Sequence, residues 1–179
     1  MEITFDVNNY TGDARELIAV LNSLRKHKCW TPVHDRDIER ITCRVPSSAL
    51  KYAQLVMKNI GISSEAERVF IKNPEIGVRY LVYMGKKEFS DPVTQKKFWK
   101  KLCKDPSTAF KWAQNFGRLS ETEEEVFLKS MSHMWQYARH VIRGRFPEKI
   151  HNMILLKSYE EMYEWEKKSM RDYLSYVGS

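Results

Sequence analysis

At 179 residues, 42% apolar and 30% charged, the chain has enough apolar material for an ordinary core, which excludes wholesale disorder. Its longest clean apolar runs, Leu17 to Leu21 and Met153 to Leu156, fall far short of the roughly 20 residues that cross a bilayer, so no membrane span is expected. Three cysteines, Cys29, Cys43 and Cys103, are too few for a disulfide framework and fit a reducing compartment, while a formal net charge of +7 favours anionic partners over long range. The first residues, MEITFDVNNY, do not read as a signal, and a cytosolic location is expected.

Residues 1–45 read as a small α+β cap. Ile3, Phe5 and Val7 alternate with polar residues, the period of a half-buried strand, and Asn8 to Gly12 then break it. Asp13 and Glu16 have capping-box spacing ahead of Leu17, Val20, Leu21 and Leu24, which predicts a helix over 13–28. Thr31-Pro32 ends that segment, and Asp35 to Arg40 form a short helical turn. Ile41, Cys43 and Val45 alternate again, giving a second strand to pair with the first.

From Pro46 onward the chain is self-similar. Segments beginning at Pro46, Pro74, Pro106, Met131 and Tyr159 start 28, 32, 25 and 28 residues apart. Their fourth column holds Ala49, Gly77, Ala109, Met134 and Met162. The seventh holds Tyr52, Tyr80, Trp112, Tyr137 and Trp165 and is aromatic in every copy, so these five rings are the expected repeat core. The eighth is Ala53, Leu81, Ala113 and Ala138 before breaking at Glu166. The columns lie at i, i+3 and i+4, one stripe of an α-helix. Asn73, Asp105, Ser130 and Ser158 precede four of the five segments as N-caps, and proline in the first turn suits a position whose N–H has no helical partner.

A second helix follows each break, with apolar residues such as Ala66 with Val69 and Phe70, Phe98 with Trp99 and Leu102, Val126 with Phe127, or Ile150 with Met153 and Ile154. The expected fold is therefore mainly α, an α-solenoid-like stack of four helical hairpins over 46–157 with a C-terminal capping helix over 158–179.

The segment Trp135-Gln-Tyr-Ala-Arg-His-Val-Ile-Arg-Gly-Arg-Phe-Pro-Glu148 resembles a repeat of tailed-bacteriophage and large-DNA-virus proteins. That repeat runs from Asp-Pro or Asn-Pro through Tyr-Ala and Val-Ile to Gly-Arg-Phe-Pro. Asn73-Pro74 and Asp105-Pro106 supply the start here, and Tyr52-Ala53, Trp112-Ala113 and Tyr137-Ala138 the aromatic-Ala pair. Only the fourth copy carries the full Gly-Arg-Phe-Pro; the third keeps Gly117-Arg118, and the first two keep a displaced Gly61 and Gly85. The resemblance implies a viral origin and a helical-repeat fold, and it brings no catalytic residues.

The residues themselves offer little chemistry. His34-Asp35-Arg36-Asp37 lacks any accompanying phosphate loop, and Cys29, His34 and Cys43 lack the fourth ligand of a structural zinc site. His133 and His140, seven residues apart, read as solvent-facing positions. No enzyme activity, cofactor or metal is expected.

Charge is more informative. Seven lysines face two acids between Lys86 and Lys104, and Lys96, Lys97, Lys100, Lys101 and Lys104 recur at spacings that put several of them on one side of a helix. Arg139, Arg143 and Arg145 form a second basic group. These eight residues are the candidate contacts for a partner or an anion. The expected function is binding of a host or viral protein, with a nucleic-acid-binding accessory role through the lysine stripe as the alternative.

Overall fold

The computed structural model describes residues 12–27, 35–56, 61–157 and 159–178. The chain divides into two compact units, Met1–Phe98 and Trp99–Ser179.

In the first unit, α1 spans Ala14–Lys26, α2 Arg36–Thr42 and α3 Pro46–Val56. Helix α4 (Ser64–Glu67) tightens into a 3-10 turn at Arg68–Lys72, α5 spans Pro74–Met84, and α6 (Pro92–Leu102) runs through the division. Helix α3 packs against α1, α2, α5 and the 3-10 turn.

In the second unit, α7 is Pro106–Phe116, α8 (Glu121–Glu124) continues as a 3-10 turn at Glu125–Lys129, and α9 (Met131–Tyr137) continues as a π-helical turn at Ala138–Ile142. Helices α10 (Glu148–Leu155) and α11 (Glu164–Gly178) complete it. Helix α9 packs against both α7 and α11.

The starts follow side-chain chemistry. Asp13 and Glu16 close a capping box on α1. Asn73 accepts from the Ile76 N–H, and Asp105 from Ser107 and Thr108. The sequences Asp91-Pro92-Val93-Thr94 and Asp105-Pro106-Ser107-Thr108 make the same cap: each aspartate also accepts the hydroxyl of the threonine three residues on. Ser130 begins α9 differently, its hydroxyl lying 2.9 Å from His133 Nδ1 rather than on a backbone N–H.

The described residues contain helices and no strand, which corrects the expected second strand. Asp35 accepts from the N–H groups of Asp37 and Ile38, and the helix it starts carries Ile38 and Ile41 inward one turn apart. Three alternating residues before a proline could not outweigh that cap. The first expected strand, residues 3–7, lies outside the described residues.

Four rings of the expected core are buried: Tyr52, Tyr80, Trp112 and Tyr137. Trp165 is not, being 54% exposed, and its assignment to the core is corrected. The last helix begins later than a 28-residue period predicts, and Tyr173, fully buried, takes the aromatic place. Met170 and Tyr173 repeat the spacing of Met134 and Tyr137, with Leu174 in the eighth column. Upstream, Ala14, Leu17, Ile18 and Leu21 bury the same pattern in α1, with leucine in place of the ring.

Gly77 shows why its column is small. A Cβ there would sit 2.6 Å from the Phe98 ring and 3.1 Å from Phe70 Cβ, so only glycine admits both rings.

Burial sets the expected mutational contrast. Tyr173→Ala should destabilise the chain by about 3–5 kcal/mol, whereas Trp165→Ala should change stability by under about 0.5 kcal/mol, both read from urea denaturation midpoints.

Candidate functional site

The aromatic column is part of a larger constellation that joins each short helix to the next long one. In the first unit Glu67, fully buried, accepts the Tyr80 hydroxyl at 3.1 Å and the Ser90 N–H at 2.8 Å. Phe70 stacks on Tyr80 with centroids 4.6 Å apart, and Phe89 lies on the other two rings at 5.9 and 6.0 Å. In the second unit Glu124, also fully buried, accepts the Tyr137 hydroxyl at 2.9 Å. Phe127 stacks on Tyr137 at 4.2 Å and Phe146 follows at 5.7 Å. Glu67, Phe70, Tyr80 and Phe89 thus recur as Glu124, Phe127, Tyr137 and Phe146 at identical spacings.

Each carboxylate has local donors. Arg118 reaches both oxygens of Glu124, at 2.6 and 3.0 Å, and the Leu119 N–H donates to the Tyr137 hydroxyl at 2.8 Å. A buried charge with several donors is tolerable where a lone one is not. Burial nevertheless holds the Glu67 carboxyl above the usual carboxylate range, against the donations from Ser90 and Tyr80. Burial likewise raises the Tyr80 and Tyr137 hydroxyls, with their glutamates adding to the effect, so they act as donors and not as bases.

Three positions vary the theme. Glu39 accepts the Ser63 N–H and hydroxyl while Tyr52 donates to the Asp35 carbonyl. Thirteen residues before Trp112 stands Trp99 rather than glutamate. The two indoles pack edge to face at 4.8 Å, and Trp99 donates to Glu123. At the end of the chain His151 replaces the carboxylate, its Nδ1 lying 2.8 Å from the Tyr173 hydroxyl. Burial, and then the nearby Arg145, hold His151 below the ordinary imidazole range.

This constellation is built to hold loops, and its hydroxyl and carboxylate atoms are taken up by neighbours. The thiols are similarly placed: burial pushes Cys43 up to about 12 and Cys103 up to about 11, far from a thiolate at neutral pH. Cys29 and His34, the other members of the imagined metal trio, lie outside the described residues. No cluster of three or more metal-ligating side chains occurs among the described residues. No described helix is long and apolar enough to cross a membrane.

The predicted surface contacts are all exposed. Lys96, Lys97, Lys100 and Lys101 stand on α6 and Lys104 just after it, without an ion pair among the described residues, while Phe98 and Leu102 turn inward. Arg139 lies over the Trp135 ring at 5.7 Å, and Arg143 ends the π-helical turn with a left-handed φ of 55°. Arg145 lies near the Tyr173 and His151 pair. His133 is half-buried against Ser130 and Phe110, and His140 is exposed.

Another surface feature escaped the sequence pattern. Between Met153 and Trp165 the second unit exposes Met153, Leu155, Leu156, Tyr159, Tyr163 and Trp165, with Leu156 at 84% and Tyr163 at 71%. The Tyr163 and Trp165 rings are parallel within 7° at 6.3 Å. Lys167 covers the Tyr159 ring, and Arg171 donates to its hydroxyl at 2.8 Å. The signal was present as apolar residues that fall off the buried stripe of α10 and α11. Scattered exposed apolar residues are ordinary, but six within one short stretch are not.

Comparison with protein-family models, curated proteins and solved structures found no match.

Glu67 gives a pH test. The folded chain keeps its proton to higher pH than the unfolded chain, so its contribution is fully present below the ordinary value of 4.5 and is lost as pH rises through the raised one. Glu67→Gln should therefore gain stability relative to the native chain as pH rises through that window, and parallel unfolding curves from acid to neutral pH measure the difference.

Proposed function

We propose that this chain is a non-enzymatic helical-repeat scaffold, its hairpins stacked as a short α-solenoid, that binds a protein partner. The observation that carries the reading is the exposed apolar stretch from Met153 to Trp165. Burying it against a partner would remove apolar surface from water at about 25 cal/mol per Å². The buried glutamates and tyrosines support the same reading, because their polar atoms are engaged in holding loops.

The resemblance to viral repeats extends the proposal to a phage protein acting in the host cytosol, where its partner is a host factor or defence component. In infected-cell lysate the native chain should capture a specific protein, and Leu156→Asp should lose it while keeping the native unfolding midpoint. Equal capture by both chains would refute the role of this stretch.

A second reading rests on the lysines of α6 and Lys104, which are exposed and unpaired among the described residues. On that reading they contact a nucleic-acid backbone, and each phosphate contact adds to the salt dependence. Fluorescence anisotropy with single-stranded and duplex oligonucleotides would then show binding at low ionic strength that weakens steeply with salt. No binding at low salt would eliminate it.

A further inference from the structure

The exposed stretch has a charge character opposite to that of the chain as a whole. Tyr159 to Glu166 reads Tyr-Glu-Glu-Met-Tyr-Glu-Trp-Glu, four acids and no base, in a chain of formal net charge +7. Two of the glutamates are used locally: Glu164 pairs with Lys167 at 2.8 Å, and Glu166 accepts the Tyr163 N–H at 3.2 Å. Glu160 and Glu161 are exposed and without an ion-pair partner among the described residues.

The rings beside them have the chemistry for a cation. An ammonium or guanidinium is attracted to the negative face of an aromatic ring. The second unit already makes this contact twice, with Lys167 over Tyr159 at 5.5 Å and Arg139 over Trp135 at 5.7 Å. Tyr163 and Trp165 lie on each other and remain 71% and 54% exposed.

We propose that the stretch from Tyr159 to Glu166 docks a basic segment of a partner protein. One arginine or lysine of that segment lies against the rings of Tyr163 and Trp165, its neighbours pair with Glu160 and Glu161, and an apolar residue covers Leu156. Charge complementarity chooses this occupant, because an acidic aromatic surface repels nucleic acid and acidic peptides alike. The inference rests on the protein-binding reading above and names the chemistry of its partner.

The test uses the full chain and two fluorescein-labelled peptides, one alternating arginine with leucine and one alternating glutamate with leucine. At physiological salt the arginine peptide should bind and the glutamate peptide should not. Tyr163→Ala with Trp165→Ala, and separately Glu160→Lys with Glu161→Lys, should each weaken binding by about tenfold. Glu88→Lys, an exposed glutamate of the first unit, should leave it unchanged. All four positions changed in the second unit are exposed, and thermal unfolding by circular dichroism confirms that each variant is folded.

Equal binding of the two peptides, or native affinity in the aromatic double variant, would overturn the proposal. So would self-association that Glu160→Lys with Glu161→Lys abolishes, since a second copy would then be the occupant. Lysate capture separates this inference from the reading beneath it. Capture lost in Leu156→Asp but kept in the Glu160 and Glu161 variant overturns the basic-segment assignment alone, whereas capture kept in both overturns the protein-binding role of the stretch.

Discussion

The hydrogen bond from a buried tyrosine to a buried glutamate thirteen residues earlier organises much of this molecule. Tyr80 with Glu67 and Tyr137 with Glu124 join a short helix to the long helix that follows it, at points where neither side chain touches water. Burying a carboxylate is costly, so the chain must bring donors to it, and those donors are the loops: Ser90 for Glu67, Arg118 for Glu124. The loop conformation is thereby fixed, and with it the position of Phe89 or Phe146 on the aromatic stack. Burying each such ring contributes roughly 1.5–3 kcal/mol, but the polar bond selects which packing the rings adopt.

The same constraint shapes the surface. Glu39, Glu67 and Glu124 are withdrawn into the interior, while Lys96, Lys97, Lys100, Lys101 and Lys104 all remain outside. Among the described residues the exterior is thus more basic than composition alone suggests, and the acidic aromatic stretch at Tyr159 to Glu166 stands out against it. The last helix adds to that contrast. Its Met170 and Tyr173 complete the buried column, and the residues before it are left outside.

Much of the helical pattern was legible in the sequence. A stripe of small and aromatic residues at helical spacing locates α3, α5, α7 and α9, and Asn73 and Asp105 mark two of their starts. A period near 28 residues points to Trp165, but the loop before α11 is longer and puts Tyr173 thirty-six residues after Tyr137. The buried glutamates were missed for a different reason. A glutamate in an acidic run such as Glu123 to Glu125 reads as solvated, and nothing in its local pattern singles out Glu124. The thirteen-residue spacing to tyrosine, shared by Glu39, Glu67 and Glu124, was the available signal. The strand expected at Ile41 to Val45 failed because alternation over so few residues cannot compete with a capped helix start at Asp35.

The packing of the second unit depends most directly on Tyr137 and Glu124 acting as a pair, and a double-mutant cycle of Tyr137→Phe and Glu124→Gln measures that. Because the hydroxyl and carboxylate are bonded at 2.9 Å with no water between them, the two changes should be non-additive, with a coupling energy of about 1–3 kcal/mol in urea denaturation. Additivity to within about 0.3 kcal/mol would mean that the hydroxyl and carboxylate act independently and that the rings alone hold the repeat together.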